Sequence, residues 1–345
     1  MTAGAGAELA APVADPVADP VADPLADRVR PRLAELHPGE QVGQLADVPG
    51  GHSGLTYAVP VGAGRYVIKA VPPGQRKVGR NDVLRQAAVL RALRGSAVPV
   101  PRVVAVDERA PAWFAMTYEP GEAVEPVLDD VPLDPRLARD RMLRLAGVLR
   151  TLHGLDPATL DLPPQDPLGP AAELERWTRT MRAVPEELRP GSADLLRRLA
   201  EQVPAAVAPV LVHGDFRLGN VLCVGARPRA VVDWEIWSVG DPRTDLGWFL
   251  TFADHTAFPG VGHPVPGLPS EHELLAAYAG EGAVPPDMPW FRALGRMKMA
   301  AIMGHNLRRH REGKHRDPVQ ERLPPTIAAL IAHARSILDE DSILG

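Results

Sequence analysis

In the stretch LVHGDFRLGNVL, residues 211–222, a histidine, a carboxylate and an asparagine fall within eight positions between two apolar runs. Taken alone, a polar turn joining two buried strands accounts for His213, Asp215 and Asn220 as well as any chemistry does. The continuation NVLCVGARPRAVVDWE shifts the balance, because it reads as a hairpin of residues 221–224, a turn over 225–228 and a return over 229–232. With Val224 facing Arg229, Asn220 stands opposite Asp233, and opposed residues in antiparallel strands lie about 4.5 to 5.5 Å apart at Cα. Two side-chain oxygens so placed can share one cation. Oxygen donors with a single carboxylate suit Mg²⁺, which keeps waters and borrows phosphate oxygens from a nucleotide such as ATP. Asp215, on the loop just before Asn220, is suited to accept a proton from an attacking hydroxyl, a role worth about 10² to 10⁴ in rate when well placed. On this reading Asp215 is the base, Asn220 and Asp233 are metal ligands, and His213 is a scaffold that hydrogen-bonds the neighbouring metal-binding turn.

Such side chains need elements to hold them. TYAVPV and RYVIKAV read as paired strands across a turn at 62–64, and AWFAMTY reads as a later strand. Between them DVLRQAAVLRALRG has helical character, with a cap at Asp82 and a stop at Gly95. The following VPVPRVV must be extended, since Pro99 and Pro101 exclude helix. Beyond Gly121 the pattern turns helical: Met142, Leu145, Leu149 and Leu152 recur at helical spacing and form one apolar face. Further helices are expected near 28–36, 171–182, 192–201, 271–278, 290–311 and 325–338. The class is therefore α+β, a small sheet with one helix followed by a larger helical part. Before it all, PVADPVADPVADPLAD, residues 12–27, places proline at every fourth position with little apolar bulk, and the expectation for 1–27 is a disordered tail.

Composition narrows the function. The 345 residues, 45% hydrophobic, can bury a sizeable core. Acidic residues outnumber basic ones by 43 to 38, leaving a net charge of -5 and no basic field for nucleic acid or an anionic membrane. No apolar run is long enough to span a bilayer, the amino terminus lacks signal-peptide regions, and the single cysteine, Cys223, suits a reducing compartment. The expected location is the cytoplasm. Only four of the 38 basic residues are lysines, so a lysine inside an apolar strand, Lys69 of RYVIKAV, is more telling than usual.

HGDFRLGN followed by VVDWE and then GDPRTDLGWFL resembles the aminoglycoside phosphotransferase and choline-kinase branch of the protein-kinase-like superfamily, and most of all the bacterial phosphotransferases related to the kinase-like domain of acyl-CoA dehydrogenase fusions. The kinase catalytic loop reads H-R-D-x-x-x-x-N with a second aspartate for magnesium, and His213, Asp215, Asn220 and Asp233 match it, with Trp234 and Glu235 in place of Phe-Gly. The resemblance covers roughly residue 42 to the carboxyl end. It implies a two-lobe fold, with a nucleotide-binding N-lobe of antiparallel sheet over 28–118 and a mainly helical C-lobe over 119–345 that carries catalysis and the acceptor. It also implies that Lys69 holds the nucleotide phosphates, that Ser53 in GGHSGLTY belongs to the phosphate-covering turn, and that backbone near Thr117 and Tyr118 meets adenine. Asp241 and Asp245 of GDPRTDLGW are expected to support the catalytic loop and a helix start. Family members usually pair the lysine with a glutamate, and the matching residue here is Gln86, which can hydrogen-bond Lys69 but supplies no counter-charge. Gly54 likewise stands where the family often has asparagine.

The expected activity is ATP- and Mg²⁺-dependent transfer of the γ-phosphoryl group to a hydroxyl of a small molecule. The alternative is a nucleotide-binding pseudokinase that senses or scaffolds, which Gln86 favours and the intact Asp215, Asn220 and Asp233 oppose. A metallohydrolase using His213 and Asp215 lacks a second pair of histidines at ligand spacing. Trp237, Asp254, His255, Trp290 and Arg296 are candidates to face the acceptor. The sequence sets neither the acceptor nor the oligomeric state.

Overall fold

The computed structural model describes residues 25–48, 55–72, 74–77, 79–314 and 316–344. Helix α1 (Ala26–Leu36) comes first, followed by strands β1 (Ala46–Asp47), β2 (Leu55–Val61) and β3 (Gly64–Ala70), helix α2 (Val83–Ala92), and strands β4 (Val103–Asp107) and β5 (Trp113–Thr117). The strands form one antiparallel sheet in the order β1-β2-β3-β5-β4. Residues 62 and 63 alone close the β2–β3 hairpin, tighter than the three-residue turn expected, and Gly62 supplies the left-handed φ of 55°.

Strand alternation decides which way Lys69 points. Ile68 and Ala70 join the core under α1, whereas Phe114, opposite Lys69 in β5, and Met116 join the larger core shared with the rest of the chain. Lys69 therefore leaves the sheet on the face toward α2. The outer face is covered by Leu25, Val29 and Leu33, one stripe of α1 buried to 4% exposure or less, with Arg28 paired to Asp107 at 2.7 Å. Leu25 to Asp27, expected in the unstructured tail, thus belong to the fold. The apolar stripe extends one turn further back than VADP-repeat composition suggested, because Leu25 replaces the valine of the preceding repeats and packs.

The larger lobe is mainly helical: α3 (Pro135–His153), α4 (Pro170–Arg182), α5 (Ser192–Glu201), α6 (Pro242–Thr251), α7 (Glu271–Ala279), α8 (Met288–Arg311) and α9 (Pro324–Leu344). Met142, Leu145, Leu149 and Leu152 make the buried face of α3, as their spacing predicts. Helix α6 had no amphipathic signal to announce it beyond its start, since every residue from Arg243 to Thr251 is buried. It lies directly against α8. A Cβ on Gly247 would run into the carbonyl of Phe291, and one on Gly295 into the carbonyl of Gly247, so these glycines let the two backbones touch. Between α5 and α6 the chain forms two small antiparallel pairs, β6 (Val210–Val212) with β9 (Ser238–Gly240) and β7 (Val221–Val224) with β8 (Arg227–Val231). The architecture is α+β with two lobes, a small sheet lobe and a larger helical one. No helix among the described residues is long and apolar enough to cross a membrane.

Candidate active site

The residues singled out by type and spacing come from one folded-back segment between β6 and α6. Strand β6 delivers His213, whose ring is completely buried and uses both nitrogens: Nδ1 accepts from the Asp215 amide at 3.1 Å, and Nε2 lies 2.9 Å from the carbonyl oxygen of Val232. Val232 directly precedes Asp233, so His213 ties the loop to the turn that carries that carboxylate. A metal on His213 would have to break one of these bonds, which removes the hydrolase alternative. Burial pushes its imidazole below the usual value against the pull of nearby carboxylates, Asp245 first.

Gly214 has φ 84°, and a Cβ there would lie 2.6 Å from the carbonyl oxygen of Ile236. Only glycine fits the close pass. Asp245, fully buried in the first turn of α6, accepts from the amides of His213 at 2.7 Å and Gly214 at 2.8 Å, and its Oδ2 lies 3.3 Å from Nε2 of His153. Burial acts to raise this carboxyl, but the hydrogen bond and charge of His153, the His213 charge and the amide donors outweigh it and hold it below the ordinary range. Asp241 caps the same helix through the Arg243 amide at 3.0 Å and grips the Arg243 guanidinium with both oxygens.

Asp215 then projects with both carboxylate oxygens in contact. Oδ2 accepts from Asn220 Nδ2 at 2.8 Å, and Oδ1 accepts from the Trp248 indole at 2.9 Å, with the Arg217 guanidinium 3.6 Å from Oδ1. Asn220 Nδ2 also donates to the Asp215 carbonyl at 2.8 Å, which closes the loop on itself.

The expected hairpin register is off by one. Val221 pairs with Val231 and Leu222 with Ala230, the register shifts again before Cys223–Pro228, and only Gly225 and Ala226 form the turn. Asn220 therefore stands opposite Val232, whose amide donates to the Asn220 carbonyl at 2.9 Å, and not opposite Asp233. A one-residue slip ordinarily sends a side chain to the other face. Here Asp233 leaves the strand in the left-handed region, φ 63°, and its carboxylate points across to the sheet lobe.

There Asp233 Oδ1 receives Lys69 Nζ at 2.8 Å, and the same Nζ reaches Gln86 Oε1 at 3.4 Å. Burial works to raise the Asp233 carboxyl, but the charge and hydrogen bond of Lys69, then His213 and Arg217, leave it lowered. Lys69, Gln86, Phe114, Met116 and Asp233 line one small cavity between the lobes. Thr117 and Tyr118 are not among its lining, and their amides are spent on the carbonyls of Arg102 and Arg65 at 2.9 and 3.3 Å. The cavity is met by the side chains of Phe114 and Met116, which share the inner face of β5, while Tyr118, past the end of the strand, is exposed. Ser53 lies outside the described residues.

Of the residues expected to face the acceptor, Trp290 is core: its indole donates to the Leu199 carbonyl at 3.0 Å and it is 3% exposed. Trp237 is buried too, stacked 3.9 Å beneath the Arg85 guanidinium in a clamp from α2 to the helical lobe. Asp254 caps the turn His255–Ala257, and Arg296 is buried and paired to Glu271. Three further residues at the site carried no signal in the motif itself. Trp248 sits in an all-buried helix, Lys298 in α8 donates to the Gly214 carbonyl, and buried Glu125 accepts from the Gly219 amide at 3.1 Å. The scarcity of lysine flagged Lys69 and could have flagged Lys298.

Against known proteins, the model of the phosphotransferase enzyme family (APH) matches residues 44–294. Acyl-CoA dehydrogenase family member 10 of Mus musculus is 26% identical over 281 residues, 75% of this chain, although the chain spans only 26% of that relative's length. Viomycin phosphotransferase of Streptomyces vinaceus is 31% identical over 229 residues, covering 63% of this chain and 76% of that protein. A crystal structure described as an aminoglycoside phosphotransferase from Ralstonia eutropha superposes with a TM-score of 0.72 at 22% identity, covering 89% of this chain and 97% of that one.

Proposed function

The chain belongs to the phosphotransferase enzyme family, and from that premise we propose that it transfers the γ-phosphoryl group of ATP, in a Mg²⁺-dependent reaction, to a hydroxyl of a small molecule. The observation that carries this reading is the meeting of Lys69 and Asp233 at 2.8 Å, a cation of the sheet lobe and a carboxylate of the helical lobe 164 residues apart, over the loop that bears Asp215. In kinases a strand lysine holds the nucleotide phosphates and a second aspartate holds the cation, and the meeting of a strand lysine with Asp233 supports that reading.

The donor chemistry fits magnesium. Asp233 supplies a lowered carboxyl, and Asn220, with Nδ2 committed to Asp215, is left to offer its amide oxygen. Among the described residues no three of His, Cys, Asp or Glu gather as a metal site, so the remaining positions around a cation would fall to phosphate oxygens and water. When bound, Mg²⁺ would neutralise charge building on the phosphates. Lys69 would release Asp233 and hold the phosphates in its place. Asp215 accepts the proton of the acceptor hydroxyl as the oxygen attacks phosphorus, and the bond from the γ-phosphorus to the ADP oxygen breaks. The carboxylate of Asp215 is held by Asn220 and Trp248, its backbone by His213 and Asn220, and the residues just before it by Asp245. Catalysis of this kind is chiefly positioning and charge neutralisation. Cys223, buried in β7 and unpaired, agrees with a protein of the cytoplasm.

One observation favours a second reading, a nucleotide-binding pseudokinase with a sensing or scaffolding role. Lys69 has a neutral partner on α2, at the long distance of 3.4 Å. ADP production with Mg-ATP over a panel of hydroxylated compounds, including aminoglycosides, sugars, choline, homoserine and hydroxyacyl-CoA, separates the two. Acceptor-dependent turnover supports the transferase; tight Mg-ATP binding with no turnover on any acceptor supports the pseudokinase.

A further inference from the structure

Lys298 is the most deeply buried lysine of the described chain, at 2% exposure in the middle of α8. Its ammonium donates to the carbonyl oxygen of Gly214 and lies 4.0 Å from the Trp248 ring centroid and 5.0 Å from that of Trp177. The charged groups acting on it are Glu173 and Arg176 from α4, Asp215 from the loop and Asp245 from α6; burial leaves it below its ordinary value, against the pull of the three carboxylates. On the edge of the same Trp248 ring, the indole N–H donates to Asp215 Oδ1 at 2.9 Å. The touching glycines explain the assembly. Gly247 precedes Trp248 and Gly295 lies three residues, just under one turn, before Lys298, so the contact of α6 with α8 sets the ammonium against the indole.

We propose that Lys298 and Trp248 are positioning residues for Asp215, a chain in which the buried ammonium polarises the indole and the indole N–H fixes one oxygen of the carboxylate. A cation over the face of an aromatic ring draws on its π density, and the N–H at the ring edge becomes a stronger donor as a result. Asn220 fixes the other oxygen. With the two donors in place the carboxylate cannot rotate about its last bond, and its remaining lone pairs face the same direction in every turnover. The same ammonium fixes the Gly214 carbonyl, so one side chain constrains both the backbone and the side chain of the loop. The kinetic consequence rests on the phosphotransferase reading; the hydrogen-bond chain does not.

The test is the ¹⁵N–¹H spectrum of the indoles, of which the chain has six. Trp248→Phe, which keeps an aromatic ring beside Lys298 but loses the N–H and part of the indole, assigns the Trp248 resonance by its loss. The expected result is an upfield move of that resonance in both Asp215→Asn and Lys298→Met, with Lys298→Arg leaving it near its original place. In turnover, Lys298→Met and Trp248→Phe lower kcat by about tenfold to a hundredfold, the range that small misplacements of a reacting group cause, while KM for ATP stays within about twofold. A Trp248 resonance unmoved in Lys298→Met overturns the proposal, as does a KM for ATP that rises in step with the loss of kcat. A wild type that turns over no acceptor speaks against the phosphotransferase reading alone, because the resonance decides the chain of contacts without turnover.

Discussion

Asp245 and Lys69 anchor opposite walls of the cleft by different means. The carboxylate of Asp245 is sealed in the helical lobe and takes two loop amides and a histidine, all donors from its own protein. The ammonium of Lys69 rests on Asp233, which the reaction would need for a cation, and on a neutral Gln86 at a long distance. The loop that carries Asp215 is thus held entirely by groups of the helical lobe. On the side where we propose the nucleotide binds, the chain supplies only a provisional pairing, which a bound phosphate would replace. The loop that bears Asp215 is therefore held by many internal hydrogen bonds, whereas Lys69 is held by few.

The sharpest way to break that contrast is Asp245→Ala. It leaves two buried amides and His153 without their acceptor, and removing one partner of a buried charged network costs about 3 to 5 kcal/mol. The expected outcome is a lower denaturant midpoint at unchanged m-value, read by circular dichroism. A loss below about 1 kcal/mol would mean that the loop does not depend on α6.

Glu125 offers a finer cut on the same wall. Completely buried beside Gly219 and Arg217, it is pushed up to about 7 by burial, against an unfolded value of 4.5. For a raised acid the native state holds its proton longer, so the stabilisation is full below about pH 4.5 and is lost as pH rises through about 7. At about 1.4 kcal/mol per pK unit the loss is of order 3 kcal/mol. Melting temperature should fall from pH 5 to 8 in the wild type, and Glu125→Gln should flatten that slope. Parallel slopes would show that Glu125 titrates normally.

The smallest effect is expected at the other wall. Gln86→Glu places a counter-charge beside Lys69, and because Gln86 is buried the desolvation of the new carboxylate offsets much of the attraction, leaving about 1 kcal/mol, or roughly fivefold in affinity. KM for ATP should fall by about that factor with little change in kcat. An equal KM in both proteins would remove Gln86 as the weak point of the clamp.

The contrast also marks what the sequence could disclose. His213, Asp215 and Asn220 stood out as a motif because they lie within eight positions and bond to one another, Asn220 to Asp215 and the Asp215 amide to His213, whereas the direction in which Lys69 points needed the sheet and its cores. Gln86 was singled out by the family resemblance, and it does line the cavity beside Lys69. The register at Asp233 was not legible, since a turn of two residues instead of four and the left-handed φ of a non-glycine residue leave no mark in a pattern of apolar and polar types. Trp248 and Lys298 reach the loop from 33 and 84 positions away, through a helix contact that two glycines permit, and each looks locally like core or surface charge. Trp290 deceived in the reverse sense, an aromatic residue in the right helix but turned toward α5.

The most direct test of the central claim compares wild type with Asp215→Asn, measuring Mg-ATP binding by calorimetry and acceptor-dependent ADP formation on the same preparations. Nucleotide affinity should stay within about threefold while turnover falls by about 10² to 10⁴, the worth of a well-placed base. Undiminished turnover in the variant would contradict that claim.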